Sequence, residues 1–149
     1  MEKLKVPKLR FKEFSGEWEE KILDNFAKKN NDKNKAEEIK IVLSNSATQG
    51  IVKQTDYFDR EIVTESNLGG YYIVEKDDFV YNPRISVSAP VGPIKRNKIE
   101  KGVMSPLYTV FRFENMNLNF IEHYFSTNKW HDYLKSIANF GARHDRMNI

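Results

Sequence analysis

Alternating apolar and polar positions mark residues 77–96 (D-D-F-V-Y-N-P-R-I-S-V-S-A-P-V-G-P-I-K-R) as the stretch the chain is built to present. Phe79 and Tyr81 fall on one side and Val80 on the other, the period of a half-buried strand. Pro83 interrupts the run, since it has no N–H for a ladder and its φ is fixed. From Arg84 to Ala89 the alternation resumes, with Ile85 and Val87 opposite Arg84, Ser86 and Ser88. Pro90, Gly92 and Pro93 predict a stiff turn, and Lys95, Arg96, Lys98 and Lys101 follow closely. A rigid frame with hydroxyls, amides and cations on its exposed side suits a polyanion better than a small apolar ligand.

The remaining pattern supplies a scaffold. Residues 1–16 read as an extended lead-in, with Val6-Pro7 biased away from helix and Ser15-Gly16 marking a turn. Leu9, Phe11 and Phe14 are expected to pin this arm to the domain. Trp18, Ile22 and Phe26 are four apart and predict a short amphipathic helix over 18–26. Residues 30–38 lack apolar periodicity and read as a solvated loop. Residues 39–43 predict a strand, 44–50 (S-N-S-A-T-Q-G) a loop rich in small donors, and 54–60 is ambiguous between helix and loop.

Further strands are expected at 71–74 and 107–113, with a break at 68–70 and a turn at 102–105. After Glu114 the period becomes helical. Leu118, Ile121 and Phe125 share one face, and Trp130, Leu134 and Ile137 repeat that spacing beyond an N-capping break at 126–128. No internal repeat is visible. Strands first and helices late predict a mixed, strand-rich α+β domain with C-terminal helices packed on the sheet.

Composition narrows the picture. A chain of 149 residues is long enough for one domain with a real core. Its ten Phe, seven Tyr and two Trp make wholesale disorder a poor reading. A net charge of +3 is too modest to decide for nucleic acid, so the distribution of charge matters more than its total. The absence of cysteine excludes a disulfide framework and thiolate metal sites. No long apolar run and no apolar leader occur, which predicts a soluble, cytoplasmic protein without a membrane partner.

Catalytic motifs are not found. His123, His131 and His144 lack metal-ligand spacing. Gly69-Gly70 and Val91-Gly92-Pro93 match no phosphate-cradling loop. Asn82-Pro83 is close to the N-P-P-aromatic motif of adenine methyltransferases, but Arg84 and Ile85 stand in the last two places and no glycine-rich cofactor strand precedes it. Glu75, Asp77 and Asp78 have the look of a nuclease cluster, yet beside Lys76 they read as a solvated turn.

Binding residues remain. Thr48, Gln49 and Lys53 surround a loop tip. Tyr81, Asn82, Arg84, Lys95 and Arg96 flank the rigid turn. Ser105 and Tyr108 border the strand at 107–113, and Arg143 and Arg146 close the chain. Cations touch phosphates and set register, whereas amides and hydroxyls read base edges. Arg84 and the Lys95–Arg96 pair are the expected phosphate or guanine contacts. Tyr81 and Tyr108 also fit a core role.

Several segments, in order, resemble the specificity subunit of type I restriction–modification systems. These are V-P-K-L-R-F-K-E-F-S-G-E-W-E-E at 6–20, D-F-V-Y-N-P-R-I-S at 78–86, G-V-M-S-P-L-Y-T-V-F at 102–111 and G-A-R-H-D-R-M-N-I at 141–149. His144 departs from the small polar residue usual there. The resemblance implies one target recognition domain reading half of a split double-stranded DNA site. The family's long spacer helix and second recognition domain are absent, so the chain is expected to be a half subunit or a piece of one, able to self-associate.

The resemblance implies no catalysis, cofactor or metal in this chain. S-adenosylmethionine, ATP and Mg would serve the partner methyltransferase and restriction subunits. The alternatives are a stand-alone nuclease or DNA methyltransferase fragment, and a protein–protein adaptor.

Overall fold

The strand expected at 79–81 to bury one face buries both, and the architecture follows from that. The computed structural model describes residues 6–54, 65–137, 139–140 and 147–148. Its strands, in chain order, are β1 (Ala27–Lys29), β2 (Leu43–Ser46), β3 (Gly50–Lys53), β4 (Tyr72–Val74) and β5 (Phe79–Tyr81). They continue with β6 (Ile94–Arg96), β7 (Gly102–Met104), β8 (Thr109–Phe113), β9 (Asn139–Phe140) and β10 (Met147–Asn148). Two helices follow β8: α1 (Leu118–Phe125) and α2 (His131–Ile137). The main sheet is antiparallel with order β1-β8-β5-β6, and β2–β3, β4–β7 and β9–β10 form two-stranded antiparallel pairs. This is the mixed α+β arrangement that the periodicity predicts. No helix among the described residues is long and apolar enough to cross a membrane.

Two apolar clusters sandwich β5. On one face Phe79 and Tyr81 meet Phe113, Ile121, Phe125, Trp130 and Leu134, so both helices close over the sheet. Aromatic edges lock this side: Phe79 lies 5.1 Å from Phe113 and Phe125 lies 5.7 Å from Trp130, each near-perpendicular. On the other face Val80 packs with Leu43, Ile51, Val74, Met104 and Val110, beneath the β2–β3 and β4–β7 pairs. The helices match their predicted faces except at Ile137, which ends α2 and is exposed. Ile121, Phe125, Trp130 and Leu134 are buried, and Asn117 caps α1 by accepting from Phe120 N at 3.1 Å.

Five expectations are corrected. The turn expected at 102–105 is instead the buried strand β7, whose backbone pairs with β4. Residues 18–26 form no helix beyond a single 3-10 turn at Leu23–Asn25, and Trp18 and Ile22 stay exposed. So short a helix needs a surface to bury against, and the chain is instead drawn into β1, paired with β8. Leu9, Phe11 and Phe14 do not pin the arm, being 91, 75 and 64 % exposed. The strand expected at 39–43 begins only at Leu43 and runs on through Ser46, inside the expected loop. It does so because the buried Asn45 amide donates to Val80 O (2.9 Å) and Pro93 O (3.2 Å), which gives a polar residue full value inside a strand. Residues 84–89 are no strand but a tight turn, in which Ser86 and Ala89 exchange backbone hydrogen bonds of 2.9 and 3.1 Å.

The acidic turn also differs from its sequence reading. Asp78 is buried, not solvated, and holds Arg112 by two bonds of 2.7 and 3.0 Å while accepting from Glu75 N at 2.8 Å. Asp77 pairs with Arg96 and Glu75 with Lys101. Each carboxylate of the nuclease-like trio is thus committed to a cation. The segment 55–60, Arg143, His144 and Arg146 lie outside the described residues.

Two stability predictions follow from this packing. A Cβ on Gly92 would stand 1.8 Å from Asn82 O, so Gly92→Ala should destabilise by about 3 kcal/mol or more in urea unfolding. Arg112→Leu leaves the buried Asp78 charge without its partner and should cost about 3 kcal/mol. Lys28→Leu, which breaks the exposed Lys28–Glu114 pair, should cost less than about 1 kcal/mol in the same assay. Equal effects of the two substitutions would show that Asp78 is not the buried anchor.

Candidate nucleic-acid interface

With β5 sealed, polar side chains can reach solvent only from the turns around it. The β2–β3 hairpin is the first such turn. Ser46 Oγ accepts from Thr48 N and Gln49 N at 3.3 and 3.2 Å, and Gly50 closes the turn at φ +74°. This leaves the Thr48 and Gln49 side chains exposed at the tip. The tip faces β6 and α1 across a groove of about 400 Å³. Ile51 and Ile94 give it an apolar component, while Lys95, Arg96 and Lys98 line it from β6 and beyond, and Glu122, His123 and Ser126 from α1.

Charge in this groove is unevenly available. Arg96 is fully engaged: its guanidinium meets Asp77 Oδ1 at 2.8 Å, Asn119 Oδ1 at 2.8 Å and Glu122 Oε2 at 3.3 Å. It clamps the 76–77 turn to α1 and is a positioning cation, not the free contact expected of it. Lys98 sits 2.6 Å from Glu122. Burial would raise the Glu122 carboxyl, but Lys98 and Arg96 outweigh it and hold the carboxyl below its ordinary value. Lys95 meets no carboxylate among the described residues, and neither does Arg84.

The structure therefore sorts the expected residues. Thr48, Gln49 and Lys95 converge on the groove, with Arg96 behind them. Lys53 forms an ion pair with Glu100. Asn82 uses its amide internally, donating to Asn45 O at 3.1 Å and accepting from Arg84 N at 3.0 Å. Tyr81 has no exposed surface, and burial pushes its phenol up to about 12, so it belongs to the core. Ser105 and Tyr108 sit in the β7–β8 connection and do not line the groove. Ser105 Oγ accepts from Leu107 N at 3.3 Å, and Tyr108, half-buried, packs against the second cluster.

Glu122, His123 and Ser126 escape the sequence reading although a signal for them exists. The apolar face Leu118–Ile121–Phe125 fixes the polar side of α1: His123 lies opposite it, with Ser126 and the half-buried Glu122 on the flank between.

Chemically, the groove offers a hydroxyl, a primary amide, an imidazole and one unpaired ammonium beside apolar walls. That set can hydrogen-bond and neutralise an anion without breaking a bond. Set against protein-family models, curated proteins and solved structures, the chain has no significant match among them.

Proposed function

We propose that this chain reads half of a split duplex DNA target for a type I restriction–modification complex, directing partner methyltransferase and restriction subunits to it. The observation that carries this reading is the meeting of Thr48 and Gln49 with Lys95 across one groove. An amide and a hydroxyl can examine base edges while a lysine fixes a phosphate. The ordered resemblance adds support, because its middle segments supply β5, β7 and most of β8, the frame from which the polar turns emerge. The chain contributes recognition, and the reactions using S-adenosylmethionine, ATP and Mg belong to the partners.

A second reading, docking of a protein, is favoured by one observation. Leu9, Phe11, Phe14 and Trp18 are exposed along the arm, and Trp18 stacks on the exposed Phe120 at 6.0 Å. A chain that binds no duplex at low salt yet associates with another protein through this arm would favour that reading.

With Lys95 and Arg84 as its phosphate contacts, the isolated chain should bind duplex DNA weakly, with a Kd of roughly 1–100 µM. Affinity should fall about tenfold between about 50 and about 200 mM salt. Lys95→Ala should weaken all sequences alike and flatten the log–log salt dependence by about one unit. Fluorescence anisotropy on the wild type and the variant measures both. Tight binding indifferent to salt, or an unchanged slope in the variant, would overturn the proposal.

A further inference from the structure

The groove leaves one projection unexplained. Between β5 and β6 the chain leaves the frame, turns and returns, and every level of this excursion is fixed. At its root Asn82 N donates to Pro93 O at 3.0 Å, and Gly92 packs against Asn82 O. Above that, Asn82 Oδ1 holds Arg84 N at 3.0 Å. Near the apex Ser86 and Ala89 exchange both backbone hydrogen bonds, and Ser86 Oγ accepts from Ala89 N at 3.2 Å and lies 3.2 Å from Ser88 Oγ. Residues 84–89 are thus a braced turn, a finger without strands of its own, whose corner is Val87–Ser88.

Val87 at that corner is 103 % exposed. A single exposed valine is ordinary. This one stands at the apex of a braced turn, where glycine, asparagine and aspartate usually stand. Serine hydroxyls flank it, and Arg84, exposed and without a carboxylate among the described residues, lies at its base.

The finger also shares its root with the hairpin that carries Thr48 and Gln49. Asn45 donates to Val80 O and Pro93 O and accepts from Asn82, so both projections are tied at one point.

We propose that the finger 84–89 is a second reading element that enters the major groove, where Val87 contacts a thymine methyl. The inference rests on the DNA-reading function proposed above. The major groove, about 12 Å wide, admits elements as broad as an α-helix, and a single braced turn is narrower. An apolar side chain recognises thymine there by its 5-methyl group, which no other base presents. The hydroxyls of Ser86 and Ser88 bond adjacent base edges, and Arg84 reaches the phosphates.

The test uses the full chain. Preferred duplexes are selected from a random library at low salt with the wild type, Val87→Ser and Val87→Ile. Each thymine of the wild-type site is then replaced singly by uracil, which removes only the methyl. One replacement should weaken wild-type binding about three- to fivefold, the worth of one buried methyl group. Val87→Ser should weaken binding to the thymine site by a similar factor, lose the preference for thymine and show no further loss with uracil. Val87→Ile should keep the preference. Unchanged thymine preference and uracil sensitivity in Val87→Ser, with DNA binding intact, would overturn the finger's role and leave the DNA-reading function standing. Failure of the wild type to bind any duplex would overturn both.

Discussion

A strand enclosed on both faces cannot offer a side chain to a ligand. In this protein β5 is such a strand, with Phe79 and Tyr81 under the helices and Val80 under two β-pairs. Side chains offered to a ligand must therefore come from outside β5, and the turns at its end must be stiff without help from a regular ladder. Asn45 supplies the stiffness. Its amide bonds the β5 and β6 backbones at once, and its own carbonyl accepts from Asn82. Among the described residues its Oδ1 has no donor, an arrangement that costs about 1–3 kcal/mol. That penalty is tolerable because the same residue joins the hairpin and the finger to the frame at a single point.

Cations in this chain divide into two kinds. Arg96 and Arg112 are held by Asp77, Glu122 and Asp78, and they fix turns and strands rather than contact a ligand. Lys53, Lys98 and Lys101 each face a glutamate. Others, such as Lys33, Lys35, Lys76 and Lys129, face no carboxylate among the described residues but lie away from the groove, so the net charge of +3 is spread over the surface and not gathered at one site. A contact made through only one or two cations gives weak, readily reversed association. Such a unit gains useful affinity when joined to a second one, since linkage raises effective concentration without new contacts.

Long-period patterns were legible in the sequence and local chemistry was less so. The helical spacing of Leu118, Ile121, Phe125, Trp130 and Leu134 survives intact because packing on the sheet rewards that one face. The spacing of Trp18, Ile22 and Phe26 is equally good, yet only Phe26 reaches the core while Trp18 and Ile22 stay exposed, and pairing of β1 with β8 takes precedence. Asn45 reads as loop chemistry in isolation. Only a distant Val80 and Pro93 make it a strand residue, and one sequence does not reveal contacts so far apart. Arg96 and Lys95 are neighbours of the same charge. What separates their roles is the position of Asp77 and Glu122, which composition does not encode.

The finger and the hairpin tip are built to opposite requirements from their roots. Gly92, Asn82 and Asn45 admit little change, because each is in close contact or bonded at several atoms. Thr48, Gln49 and Val87 touch little of the chain itself, and substitution of such exposed residues usually moves stability by about 0.5 kcal/mol or less. What the tips recognise can thus vary while the frame stays folded. On the proposed reading, specificity resides in side chains whose identity folding does not dictate.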